Sequence, residues 1–84
     1  MNQREKILQF IDEHGSITAL TAMRSLGIMR LASRINEIRE SGVDIVSVYV
    51  STTNRYNEPT RYVRYMRKER AVKEGLVKDG KQDT

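Results

Sequence analysis

A change of period half-way along the chain constrains the fold more than any other feature. Up to about residue 42, apolar residues recur at helical spacing. The clearest stretch holds Ile28, Leu31, Ile35 and Ile38 at spacings of 3, 4 and 3, one buried stripe. From Val43 to Val50 the chain turns dense in β-branched and aromatic residues, which reads as a strand. Helices come first and a hairpin second, an α+β order. With 84 residues this is one domain, and its core must be small and well patterned.

The first helix is expected over residues 2–14. Asn2 with Glu5 three positions later fits a capping box. Ile7, Leu8 and Ile11 form its apolar stripe, with Phe10 on the flank. Gly15 suits the left-handed end, and His14 suits the negative pole of the helix. That gives the sole histidine a structural explanation. Ser16 to Thr18 reads as a short extended link, and Thr18 as the N-cap of a second helix over 19–25. In that helix Leu20 and Met23 are expected to face inward. Leu26-Gly27 breaks it, and a third helix follows over 29–41, ended by Gly42. Its side opposite the apolar stripe carries Arg30, Ser33, Arg34, Glu37 and Ser41.

Ser51 to Pro59 reads as a polar hairpin loop with Asn54, Arg55, Tyr56 and Asn57 at its tip, and Thr60 to Met66 as the returning strand. Pro59 stands where loop meets strand, a place that tolerates its missing N–H. Tyr49, Tyr62 and Tyr65 are expected to pack the hairpin against the helices. The domain is placed at 1–66. Residues 67–84 are read as a basic, partly disordered tail, with a short helix over 67–74 and fraying after about Lys78.

Several functions fall away. The chain has no cysteine and one histidine, so neither a thiol nucleophile nor a His- or Cys-rich metal site is available. No phosphate-cradling glycine loop or nucleophile–base pair is evident, so no enzyme and no cofactor are expected. No apolar run approaches the ~20 residues of a membrane span, and the charged start does not read as a secretory leader. A soluble cytoplasmic binding module is expected.

The net charge of +4 is unevenly spread. Residues 1–54 hold six basic and six acidic side chains, whereas 55–73 hold seven basic and two acidic, a balance of +5. Concentrated, arginine-rich positive charge suggests a polyanionic partner. The alternative for 67–73 is a solvated helix face rather than a phosphate-gripping arm.

The segment from Ile17 to Ile45 carries a resemblance. It runs as a Thr-capped helix, then Leu26-Gly27-Ile28, then a helix ending in Ile35-x-x-Ile38-Arg39-x-x-Gly42, then a strand. Three helices and a hairpin, the second and third helices joined by a tight glycine turn, resemble the winged helix-turn-helix family. The likeness is to its small phage and bacterial members, and runs from about Ile7 to Met66. Ser33 to Arg39 resembles the recognition helix, and Tyr62 to Tyr65 the second wing strand. One departure is that residues 51–60, the wing, contain no glycine.

The resemblance implies a double-stranded DNA partner, and a role as transcription regulator or excisionase-like architectural factor. An α-helix fits the major groove, and the exposed residues at its start meet base edges. Here those are Met29, Arg30, Ser33 and Arg34, with Arg30 and Arg34 as guanine readers. Met29 is alternatively a packing residue at the helix start, and Arg34 has Glu37 or Glu40 as alternative partners. Thr18 and Thr21, at the positive end of the second helix, are candidates for phosphate, with Arg24 beside them. Asn54, Arg55 and Tyr56 suit the backbone or the minor groove. Arg61 and Arg64 flank the wing, though their odd separation sets them on opposite faces of a strand. The competing class is a winged helix that grips a protein, such as a polymerase, recombinase or repressor. A homodimer is a further option, but there is no long heptad helix to build it.

Overall fold

The computed structural model describes residues 2–77. Helix α1 spans Gln3–His14. Its capping box forms as the spacing predicts: the Asn2 side chain accepts from Glu5 N, and Glu5 Oε1 accepts from Asn2 N. At the other end Gly15 takes φ 93°, a conformation that only glycine adopts cheaply, and donates to Ile11 O. The His14 ring lies against Phe10, with centroids 4.2 Å apart.

Strand β1 is Ile17–Thr18, and helix α2 is Ala19–Thr21. Thr18 caps α2 by accepting from Thr21 N. The expected helix over 19–25 does not continue as an α-helix: Ala22–Leu26 widens into a π-helical turn. Gly27 ends it at φ 69°, in the left-handed region. Leu20 and Met23 do not face inward as expected; they are 54% and 42% exposed. The buried residue of this segment is Ala22, with Leu26 partly buried at its flank. Once the Thr18 cap sets the phase, positions 22 and 26 meet the core, and 20 and 23 fall on the neighbouring face.

Helix α3 spans Leu31–Glu40, two residues later than expected. Met29 and Arg30 therefore lie in the turn that feeds it. Met29 is 75% exposed and lies outside the core, contrary to a packing role at the helix start. Leu31, Ile35 and Ile38 are buried as their spacing requires.

Strand β2 is Ile45–Thr53 and β3 is Pro59–Arg67, so the strands run further and the loop is shorter than the expected 51–59. The threonines at 52, 53 and 60 explain this, since β-branched side chains extend a strand. Antiparallel pairing runs from Ile45–Arg67 to Thr53–Pro59. The expected two-stranded hairpin gains a third strand: β1 pairs with β3 through Ile17–Tyr65 and Thr18–Arg64, giving the order β1-β3-β2.

The main core lies between the helices and one side of this sheet. It holds Ile7, Ile11, Ile17, Ala22, Ile28, Leu31, Ile35, Ile38 and Ile45. Burying one isoleucine contributes roughly 1.5–3 kcal/mol, so this set supplies most of what holds a chain this size together. The other side of the sheet carries a second, smaller cluster of Val48, Met66 and Ala71. Ala71 comes from α4, Lys68–Lys73, the short helix expected over 67–74. It follows β3 without a break, and Lys68 N donates to Asp44 O. The fraying expected after Lys78 lies outside the described residues.

Only Tyr65 packs on the core; Tyr49 and Tyr62 are 69% and 45% exposed, contrary to the expected packing. Tyr49 stands on the open edge strand, and Tyr62 lines a shallow groove beside Thr18–Thr21 without entering the core. No helix among the described residues is long and apolar enough to cross a membrane.

Candidate nucleic-acid interface

The buried stripe of α3 decides which of its side chains face outward. Ala32, Ser33 and Asn36 are exposed, and Arg34 and Glu37 are half-exposed. Arg30 occupies the N-cap position but does not cap with its side chain. Its guanidinium makes no hydrogen bond or ion pair among the described residues. Arg30, Ser33 and Arg34 stand one helical turn apart, so they share a face. Arg34 Nη1 meets Glu37 Oε1 at 3.2 Å, the pairing its spacing allowed. Arg24 is exposed on the last part of the π turn, before the link that carries Met29.

What holds α3 at its angle is Arg39, a residue the sequence marked only as part of a family pattern. Its Nε donates to Ile45 O at 2.9 Å and its Nη2 to Ser47 Oγ at 3.0 Å. Its guanidinium lies 5.9 Å from the centre of the Tyr65 ring, close enough for a cation–π contact. A single side chain thus ties the end of α3 to two strands. Nothing in residue type announces this, because an arginine late in a helix reads equally well as dipole compensation.

At the start of α2 the two threonine hydroxyls bond each other at 2.8 Å, and Thr18 Oγ1 accepts from Thr21 N at 3.1 Å. Both candidates are thus brought together, each already engaged in the cap.

The wing tip is the loop 54–58. Asn54 organises it: its Oδ1 accepts from Tyr56 N at 2.9 Å and from Glu58 N at 3.1 Å, and its Nδ2 donates to Glu58 Oε1 at 3.2 Å. Asn57 takes φ 65°, the left-handed place that a glycine fills in many hairpins. The missing glycine is therefore replaced by asparagine, the residue best able to stand in for it. Arg55 and Tyr56 are left exposed at the tip, Tyr56 by 73%.

Arg61 is exposed on the same side of β3 as Tyr65, while Arg64 shares the opposite side with Met66 and is half-buried. The Arg64 Nε has no partner among the described residues. The basic run is partly neutralised within the fold. Arg67 grips Asp12 with two bonds of 2.7 and 3.1 Å, and Arg70 meets Glu74 at 2.7 Å. Donating to the Asp12 carboxylate raises the Arg67 pKa above its ordinary value; burial opposes this, and the charges of Asp12 and Glu69 add to it. Two arginines of the run are thus structural.

The order of elements, the tight turn at Gly27 and the paired hairpin coincide with a family model described as a winged helix-turn-helix domain, which matches residues 2–69. The chain belongs to the winged helix-turn-helix family. Searches of the curated proteins and of the solved structures found no match. Winged helix-turn-helix domains suggest DNA binding, and in that architecture α3 is the element suited to a groove.

Proposed function

We propose that this winged helix binds double-stranded DNA, with α3 in the major groove and the wing on the backbone or in the adjacent minor groove. One observation carries the reading. The side of α3 away from the core, with the turn before it, presents Met29, Arg30, Ser33 and Arg34, and only Arg34 is engaged in an ion pair. Arg30 is the leading base reader, since a guanidinium meets guanine O6 and N7 in two parallel bonds. Arg34 joins it by exchanging Glu37. Thr18, Thr21 and Arg24 serve phosphates, as does Arg61. Arg55 at the exposed tip takes the minor groove, with Tyr56 beside it. Asn54 acts there by shaping the loop, and Arg64 by position behind the sheet. The role in the cell is that of a phage or bacterial regulator or of an excisionase-like factor that bends DNA.

The test is fluorescence anisotropy of a labelled random duplex over a salt series. Wild type is expected to bind and to weaken steeply as salt rises. Arg61→Ala, losing one phosphate contact, is expected to flatten the slope by about 1. On a selected site, Arg30→Ala is expected to lose about 1–3 kcal/mol of discrimination at one base pair. No binding at low salt overturns the reading. Energy transfer between dyes at the duplex ends then separates a bending factor from a plain reader.

A second reading has its own support. Leu20 and Met23 share an exposed face of α2 and its π turn, and Met29 stands out in the link that follows. Such a patch suits a protein partner. Leu20→Ser with Met23→Ser then abolishes partner capture and leaves duplex binding intact.

A further inference from the structure

We propose that the outer edge of β2 is the interface between two copies of this chain, which join their hairpins into one continuous antiparallel sheet. The inference does not depend on DNA binding.

The two edges of the hairpin are unequal. The outer edge of β3 is guarded. β1 covers it at Arg64 and Tyr65, Arg61 sets a charge on it, and Pro59 removes a donor. These are the usual devices against unwanted strand pairing. The outer edge of β2 has none of them. Ile45–Thr53 reads Ile-Val-Ser-Val-Tyr-Val-Ser-Thr-Thr, nine residues without a charge, a proline or a glycine. No strand pairs with it among the described residues.

Which backbone groups point outward follows from three bonds. Asn54 N donates to Glu58 O at one end of the hairpin, and Lys68 N to Asp44 O at the other. Even-numbered residues of β2 therefore bond to β3, and odd-numbered ones face away. Arg39 agrees with this, for it takes the outward Ile45 carbonyl from the α3 side. Beyond it Ser47, Tyr49, Ser51 and Thr53 offer N–H and C=O groups along an open edge.

A second copy fits this edge better than any other strand, because the edge is self-complementary. Set antiparallel about a two-fold axis at Val50, Ser47 meets Thr53 of the other copy and Tyr49 meets Ser51. All four outward residues then bond, no like charges meet, and each exposed Tyr49 ring gains a neighbour. The same operation on β3, about Tyr62, would ask Tyr65 to pair with Pro59, but Ile17 of β1 already pairs with Tyr65 and the proline has no N–H to give. Centring on Tyr49 instead would ask for the Ile45 carbonyl, which Arg39 already holds. The register is therefore Val50 on Val50.

Sedimentation velocity across a concentration series is the first measurement, with the wild type expected to dimerise. Ser51→Pro removes an outward N–H that the hairpin itself does not use. It is expected to raise the dimer dissociation constant about tenfold or more, since the bond is lost at two symmetric places. Arg61→Pro, the equivalent change on the β3 edge, is expected to leave dimerisation unchanged. Val50→Cys supplies a readout that does not rely on a proline being tolerated. The chain has no other cysteine, and directly opposed residues of a non-hydrogen-bonded pair stand about 4.5 Å apart at Cα, within disulfide reach. Mild oxidation is expected to link that variant into a covalent dimer, and Tyr62→Cys to stay unlinked. A wild type that remains monomeric at every concentration overturns the proposal. So does a dimer that Arg61→Pro dissociates and Ser51→Pro does not, or one in which Val50→Cys fails to cross-link.

Discussion

Asn54 works at both ends of its amide, accepting two backbone N–H groups and donating to Glu58. Its replacement by alanine is expected to cost about 0.5–1.5 kcal/mol, read as a lower melting temperature with shifted amide resonances confined to 54–58. Three positions on, Asn57→Gly is expected to be neutral or mildly stabilising, while Asn57→Val loses about 1–2 kcal/mol by forcing a β-branched residue into the left-handed region. Equilibrium urea unfolding separates the two. An asparagine in a polar loop reads alike as a DNA contact and as a loop organiser. Only the loop's true length, shorter than the run of polar residues around it, tells the two apart. Arg34 poses the same ambiguity: it pairs with Glu37 at 3.2 Å and stands on the same face as Arg30 and Ser33.

Helix α3 was legible because Leu31, Ile35 and Ile38 recur at helical spacing, and α1 because its cap and stripe agree. The inward face of α2 was not. In so short a helix, direction depends on where the cap sets the phase and on the widened turn that follows, and small Ala22 rather than Leu20 or Met23 reaches the core. The hairpin was legible as strands, but its tyrosines were assigned alike to packing, although Tyr65 packs on the core, Tyr62 lines a groove beside α2 and Tyr49 stands exposed on the edge strand. The element-level prediction concerns Arg39. Its loss to alanine strands the Ile45 carbonyl and the Ser47 hydroxyl, and is expected to cost about 1.5–3 kcal/mol. Arg39→Lys is expected to recover little of this, because an ammonium cannot span two strands and lie over the Tyr65 ring as the planar fork does. Chemical denaturation of both variants is the measurement, and full recovery by lysine would sink the account.

Across the whole molecule, the charge of the basic run was legible as a number but not as a field. Arg67 is bound by Asp12, a partner 55 residues away that no local spacing reveals. Asp12→Asn is expected to cost at most about 1 kcal/mol, since both groups are substantially exposed, yet its effect should shrink as salt is added. The second cluster behind the sheet carries more weight. A chain ended at Arg67 uncovers Met66, which is 1% exposed, and is expected to lose roughly 1.5–3 kcal/mol, seen as a lower urea midpoint.

That cluster also makes the two halves of the hairpin mechanically unlike. Its base is clamped between helices on both sides, whereas the outer half stands bare on both, like a beam fixed at one end. Amide hydrogen exchange should record the difference as a gradient. Within a single chain, Val46, Val48 and Met66 should exchange only when the whole domain opens, while Val50, Thr52 and Tyr62 exchange by fraying from the tip.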